Sequence, residues 1–195
     1  MKRGLLTVCG LAAMLTLGAC AHPVRIEPGS LQPTTRPGSE RSVAYVISAV
    51  DLARESVDKS PDGDSVNYFP YRDIEAGLRQ MLESLYANVT ALRDAGDTTQ
   101  IQREGVSLVF VPTLSTQVTR FSPFTWVPTN FSFLISYQVF DASGRNVYHN
   151  TAQAEGLAYY TEVIGTRDSG LAGRRAARGA LAKMRDQIES VPELR

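Results

Sequence analysis

Leu5 to Leu17 runs without a charged residue, but its thirteen positions make only ~20 Å of helix, short of a ~30 Å hydrocarbon core. Val43 to Val50 is β-branched, aromatic and apolar on both faces, which predicts a buried strand. Lys59 to Asp64, with Pro61 and Gly63, predicts a turn. Ile74, Leu78, Met81, Leu82, Leu85, Val89 and Leu92 recur at spacings of three and four and predict a helix from about Tyr71 to Leu92. Ala95-Gly96-Asp97 is expected to end it. Val106 to Val118 predicts a second strand. In the third, Phe131, Phe133, Ile135, Tyr137 and Val139 alternate with Ser132, Ser136 and Gln138, as in an antiparallel sheet covered on one side. The short connection Asp141 to Arg145 predicts a hairpin with a fourth strand, Asn146 to Ala154. A last helix is expected from Asp168 or Ser169 to Ser190, with Pro192 closing it. Its seam is Ala177, Leu181, Met184, Ile188 and Val191. Its small residues, Ala172, Gly173, Ala176, Gly179 and Ala180, allow close backbone approach. The order β-α-β-β-β-α predicts an α+β two-layer sandwich, an antiparallel or mixed sheet of about four strands with two helices on one face.

The first twenty residues carry a separate message. Met1-Lys2-Arg3-Gly4 is basic, the run from Leu5 is apolar, and no acidic residue precedes Glu27, which suits a cleavable export signal. Leu17-Gly18-Ala19-Cys20 then resembles the bacterial lipobox, with two small residues between an aliphatic residue and the cysteine. The resemblance implies removal of residues 1–19 and acylation of Cys20. Each buried methylene contributes ~0.8 kcal/mol, so two or three acyl chains hold a protein to a bilayer essentially permanently. Ala21 stands where an Asp would, in enteric bacteria, retain such a protein in the inner membrane, so the outer membrane is the implied destination. The alternative is an ordinary secretory signal cut after Ala19, leaving Cys20 a free thiol.

Of 195 residues, 43% are hydrophobic and 21% charged, with 20 Lys and Arg against 20 Asp and Glu. Such a balance fits one globular domain and supplies no long-range field for nucleic acid, which is excluded as a partner. Loss of the signal would remove Lys2, Arg3 and Cys9, leaving 18 basic against 20 acidic side chains and no cysteine to pair with Cys20. Residues 20–41, with Pro23, Pro28, Pro33, Pro37, Gly29 and Gly38, read as the acylated cysteine and a flexible tether reaching at most ~65 Å. Val24 and Ile26 are its residues able to pack on the domain. Residues 42–195 form the single expected periplasmic domain.

Candidate chemistry is sparse. Only His22 and His149 remain after the signal, too few for a zinc site, and no cofactor is expected. Asp168-Ser169-Gly170 reads as a helix cap, and Gly165 and Gly170 lack the lysine and spacing of a phosphate loop. Asp51, Glu55, Glu155 and Glu162 are the carboxylates a hydrolase could use, without a shared pattern. Asn88 and Asn130 begin accidental glycosylation motifs. Two features could touch a partner. Phe121, Phe124, Trp126 and Val127, in the connection between the second and third strands, either form an exposed apolar patch or fold back to close the core with Trp126 buried. Arg174, Arg178 and Arg185 lie near one face of the last helix, beside Arg175 and Lys183, and either meet phosphate or an acidic partner or are solvated.

The element order on a lipobox-bearing chain is similar to small envelope lipoproteins of the YajG type and the lipopolysaccharide-assembly type. That resemblance implies an accessory or assembly role without catalysis. The expectation is therefore a lipid-anchored, non-enzymatic outer-membrane module that binds an envelope protein. A lipid- or glycan-binding module and an envelope hydrolase are the alternatives.

Overall fold

The structure, a computed structural model, describes residues 20–29 and 38–195. The expected signal over 1–19 and the middle of the expected tether, 30–37, lie outside the described residues. In chain order the elements begin with β1 (Ala21–Pro23), β2 (Ser39–Val46), α1 (Ala49–Leu52), β3 (Ser56–Lys59) and β4 (Ser65–Tyr68). They continue with α2 (Pro70–Glu83), β5 (Tyr86–Leu92), α3 (Thr98–Arg103), β6 (Leu108–Phe121) and β7 (Pro128–Asp141). β8 (Asn146–Leu157), α4 (Tyr160–Thr166), α5 (Leu171–Glu189) and a 3-10 turn at Pro192–Leu194 complete the chain.

The class is α+β, built on two sheets. The larger is mixed, in the order β5-β2-β6-β7-β8, and the smaller runs β1-β4-β3. β2 lies parallel to both β5 and β6, whereas β6, β7 and β8 form an antiparallel meander. Alternation sorts the side chains of the large sheet. Val43, Tyr45, Phe110, Phe133 and Ile135 face Leu78 and Leu82 of α2 and Leu181 and Met184 of α5 in the main core. Ala44, Val46, Leu92 and Val109 point the other way and pack with Ile101 of α3 in a second, smaller core. β2 is thus covered on both faces, as its unbroken apolar run predicts. At the β7–β8 end the second face is open, and Gln138, Thr151 and Gln153 on it are exposed. α5 packs on the meander at Gly156, where a Cβ would collide with the Ala172 carbonyl and the Ala176 amide.

The antiparallel hairpin around Asp141–Arg145 is present, with the Asp141 carboxylate accepting the Ser143 and Arg145 amides. The four-strand, two-helix count falls short of the two sheets and five helices observed. The largest difference concerns the expected helix over Tyr71–Leu92, which stops at Glu83. Ser84 closes it by donating its hydroxyl to the Met81 carbonyl at 2.6 Å. Tyr86–Leu92 instead joins the sheet beside β2, Val43 opposite Val89 and Val46 opposite Leu92. Leu85, Val89 and Leu92 satisfy the helical spacing, but Val89 and Thr90 are β-branched and a distant strand offers them a ladder. Asp97, expected to mark that helix's end, begins α3 by accepting the Gln100 amide at 2.9 Å. The strand expected over 43–50 starts earlier, at Ser39, and gives way to α1, whose cap is Ser48. The turn at Lys59–Asp64 joins β3 and β4, two short strands that its flanks do not announce, with Gly63 at φ +95°.

Candidate functional site

The described parts of the expected tether are built into the domain. β1 adds to the small sheet parallel to β4, pairing Ala21 with Ser65 and Pro23 with Asn67. The Ser65 amide donates to the Cys20 carbonyl at 3.0 Å, and the Val24 amide to the Asn67 carbonyl at 2.9 Å. Asp64, at the end of the turn, holds this segment twice. One carboxylate oxygen accepts the Cys20 amide at 3.3 Å, and the other lies 3.2 Å from Nε2 of His22. On its other side the His22 ring stacks on Trp126, with centroids 3.8 Å apart and planes 3° from parallel. Cys20 itself is exposed.

Further along, Ile26 is fully buried and its amide donates to the Asp73 carboxylate at 3.1 Å. Burial raises the Asp73 pKa above the ordinary carboxylate value, against the pull of the Ile26 amide and of Arg72. Three glycines make room for this stretch. A Cβ on Gly170 would overlap the Arg25 main chain, one on Gly173 the Ile26 side chain, and one on Gly77 the Pro28 ring. The small face predicted for the last helix thus serves the N-terminal segment as well as the sheet. Val24 and Ile26 are buried, as their apolar character in a polar stretch allows.

Phe121, expected in the connection, is the last residue of β6 and pairs with Pro128, because the strand runs past the expected end at Val118. The connection itself covers 122–127, and the four side chains are divided. Phe124 is 83% exposed, Phe121 and Trp126 are half-buried, and Val127 is buried. The turn is closed by the Ser122 amide donating to the Val127 carbonyl at 2.8 Å. A shallow depression of about 360 Å³ follows, lined by Arg120, Pro123, Thr129, Leu157 and Tyr159 among others. Leu157 and Tyr159 are both mostly exposed.

The arginines of α5 do not act as one free face. Arg174 pairs with Asp168 at 3.0 Å and Arg185 with Asp186 at 3.1 Å, while Arg178 is exposed. Arg175 is a structural tie. It donates to both oxygens of Glu162 and to the Leu157 carbonyl, joining α5 to α4 and to the end of β8. The Arg175 bonds to its carboxylate, with the Tyr159 amide, lower the Glu162 pKa to about 2. Asp168 is not the first cap of α5, which is Gly170. It accepts the Gly170 amide at 3.1 Å from just upstream. The remaining carboxylate candidates are dispersed: Asp51 pairs with Arg54, Glu55 accepts from Asn67, and Glu155 lies on the open face of β8. His149 is exposed on that same face. Among the described residues, no helix is long and apolar enough to cross a membrane, and no three His, Cys, Asp or Glu side chains converge as metal ligands.

Sequence reasoning missed Asp64, Asp73 and Gly170 as anchor contacts. The signal at Asp64 is its place at the end of a Pro- and Gly-containing turn, which defines the turn but not what it grips.

No family model matches the chain, and no curated protein sequence does. Solved structures that resemble it include the PelC dodecamer from Paraburkholderia phytofirmans, 18% identical over 75% of this chain and 97% of that one, with a TM-score of 0.41. A substituted form of that dodecamer gives 17% identity, 75% and 94% coverage and a TM-score of 0.40. A third, described as "a putative lipoprotein from Caulobacter crescentus", is 14% identical over 57% of this chain and 74% of that one, with a TM-score of 0.34. These are partial likenesses of shape and assign no function.

Proposed function

We propose that this protein is a lipid-anchored, non-enzymatic accessory module of cell-envelope assembly or maintenance. It is held through acylated Cys20 on the periplasmic side of the outer membrane and acts by binding an envelope protein. One observation carries the reading. Cys20 closes the lipobox-like Leu17-Gly18-Ala19-Cys20, and it stands exposed with its main chain held by Asp64 and Ser65. An acyl chain on that sulfur would extend outward without disturbing the core. Ala21 after the cysteine supports the outer membrane over the inner. The space between sheet and helices is filled by Phe133, Ile135, Leu181 and Met184, all fully buried. That filling favours contact at the outer surface over uptake of a lipid or glycan between the layers.

The test is the mass of the exported product together with fractionation. The wild-type chain is expected to begin at an acylated Cys20 and to sediment with the outer membrane, and Cys20→Ser to lose both properties. An unacylated wild-type chain in the soluble fraction would overturn the reading.

A further inference from the structure

We infer that the end of the molecule carrying Phe124, Leu157 and Tyr159 rests against the phospholipid leaflet that receives the acyl chains of Cys20. The inference deepens the reading above and depends on acylation of Cys20. Its ground is the shortness of the link. A free tether of 21 residues would let the domain stand tens of ångströms from the bilayer, but β1 is paired to β4 and Asp64 grips Cys20 itself. Two residues on, His22 stacks on Trp126, so only ~7 Å of main chain separates the acylated cysteine from the residue that touches the aromatic loop.

The surface beside that point has the character a leaflet recognises. Phe124 is 83% exposed at the tip of the loop, Leu157 61% and Tyr159 77%. Pro123 of the loop shares one shallow depression with Leu157 and Tyr159, so the three exposed side chains belong to one end of the fold. Exposed apolar side chains so grouped mark a contact surface. Phe and Tyr beside an arginine, here Arg120, suit the boundary between acyl chains and headgroups, where an aromatic ring is half apolar and half hydrated. The opposite end of β8 supplies the contrast. Val147 lies ten residues before Leu157, ~33 Å away along the strand.

The single tryptophan makes a direct test possible. The full chain is purified and reconstituted in phosphatidylethanolamine–phosphatidylglycerol vesicles with acyl chains brominated near the headgroup, and acylation of Cys20 is verified by mass. Two variants in a Trp126→Phe background place the reporter at either end, Phe124→Trp and Val147→Trp. Both sites are exposed, and circular dichroism confirms folding. With Cys20 acylated, the Phe124→Trp protein should lose at least about half its emission relative to unbrominated vesicles, and the Val147→Trp protein essentially none. Equal, weak quenching of both on an acylated chain overturns the orientation while leaving the anchor intact. It would mean that the domain stands off the bilayer or turns this surface away from it. A chain without acyl groups overturns the anchor and the orientation together.

Discussion

Proteolysis after Arg25 can measure how firmly the N-terminal segment is docked. The Arg25 side chain is 79% exposed, so what protects the next peptide bond is the fixed main chain rather than burial of the arginine. Ile26 fixes it. The side chain is fully buried against Gly173, and Phe131 also lies beside that glycine. Truncating Ile26 to Ala removes three carbons from a site whose floor is helix backbone and whose wall is a sheet residue, so little can move in to refill it. Large-to-small changes of this kind cost about 2–5 kcal/mol, and we take ~3 kcal/mol here. At ~1.4 kcal/mol per factor of ten, the undocked population should rise ~150-fold. When undocking is fast compared with cleavage, the cutting rate follows that population. A cut after Arg25 separates Cys20 from the domain, so the assay is release of the domain from membranes treated with trypsin. Ile26→Ala should be released about two orders of magnitude faster than the wild type, and Glu155→Gln, on the open face of β8, at the wild-type rate. Equal rates for Ile26→Ala and wild type would refute the claim that Ile26 burial holds this segment.

Two further outcomes follow from the same geometry. Glu162, with its folded pKa lowered to about 2, contributes stability that is present above the ordinary carboxylate pKa and lost as pH falls toward 2. Asp73, raised by burial, has the opposite sign: its contribution declines as pH rises through the ordinary value to the folded one. Denaturant midpoints between pH 2 and 6 should therefore show a flatter acid limb for Glu162→Gln and a steeper one for Asp73→Asn. A flatter limb for Asp73→Asn would contradict the Asp73 assignment, and a steeper one for Glu162→Gln the Glu162 assignment. Gly156→Ala forces a methyl group onto the main chain of α5 at Ala172 and Ala176, so helix and sheet must separate. A loss of about 1–3 kcal/mol in chemical denaturation is expected, and an unchanged midpoint would show that α5 can shift freely.

Periodicity alone determined the elements whose partners are adjacent in the chain. The alternation from Phe131 to Val139 reads correctly because its hairpin partner follows within a few residues. The seam of α5 reads correctly from Ala177 to Ile188, all buried along one face of a long helix, whereas Val191 falls beyond the helix end. The same code misleads at Leu85, Val89 and Leu92. There a helical spacing and a strand are both possible locally, and β2, 46 residues earlier where Val43 meets Val89, decides by offering a ladder. The N-terminal segment shows the limit most clearly. Its prolines and glycines signal loss of regular structure, but they do not say whether the chain stays in water. Docking depends on glycines at 77, 170 and 173 and on Asp64 and Asp73, residues dispersed across the chain that only the tertiary fold brings to one place. Local sequence encodes backbone preference, whereas burial is a property of surfaces that meet, and for Cys20 to Gly29 those surfaces come from α2, β4, α5 and the β6–β7 connection.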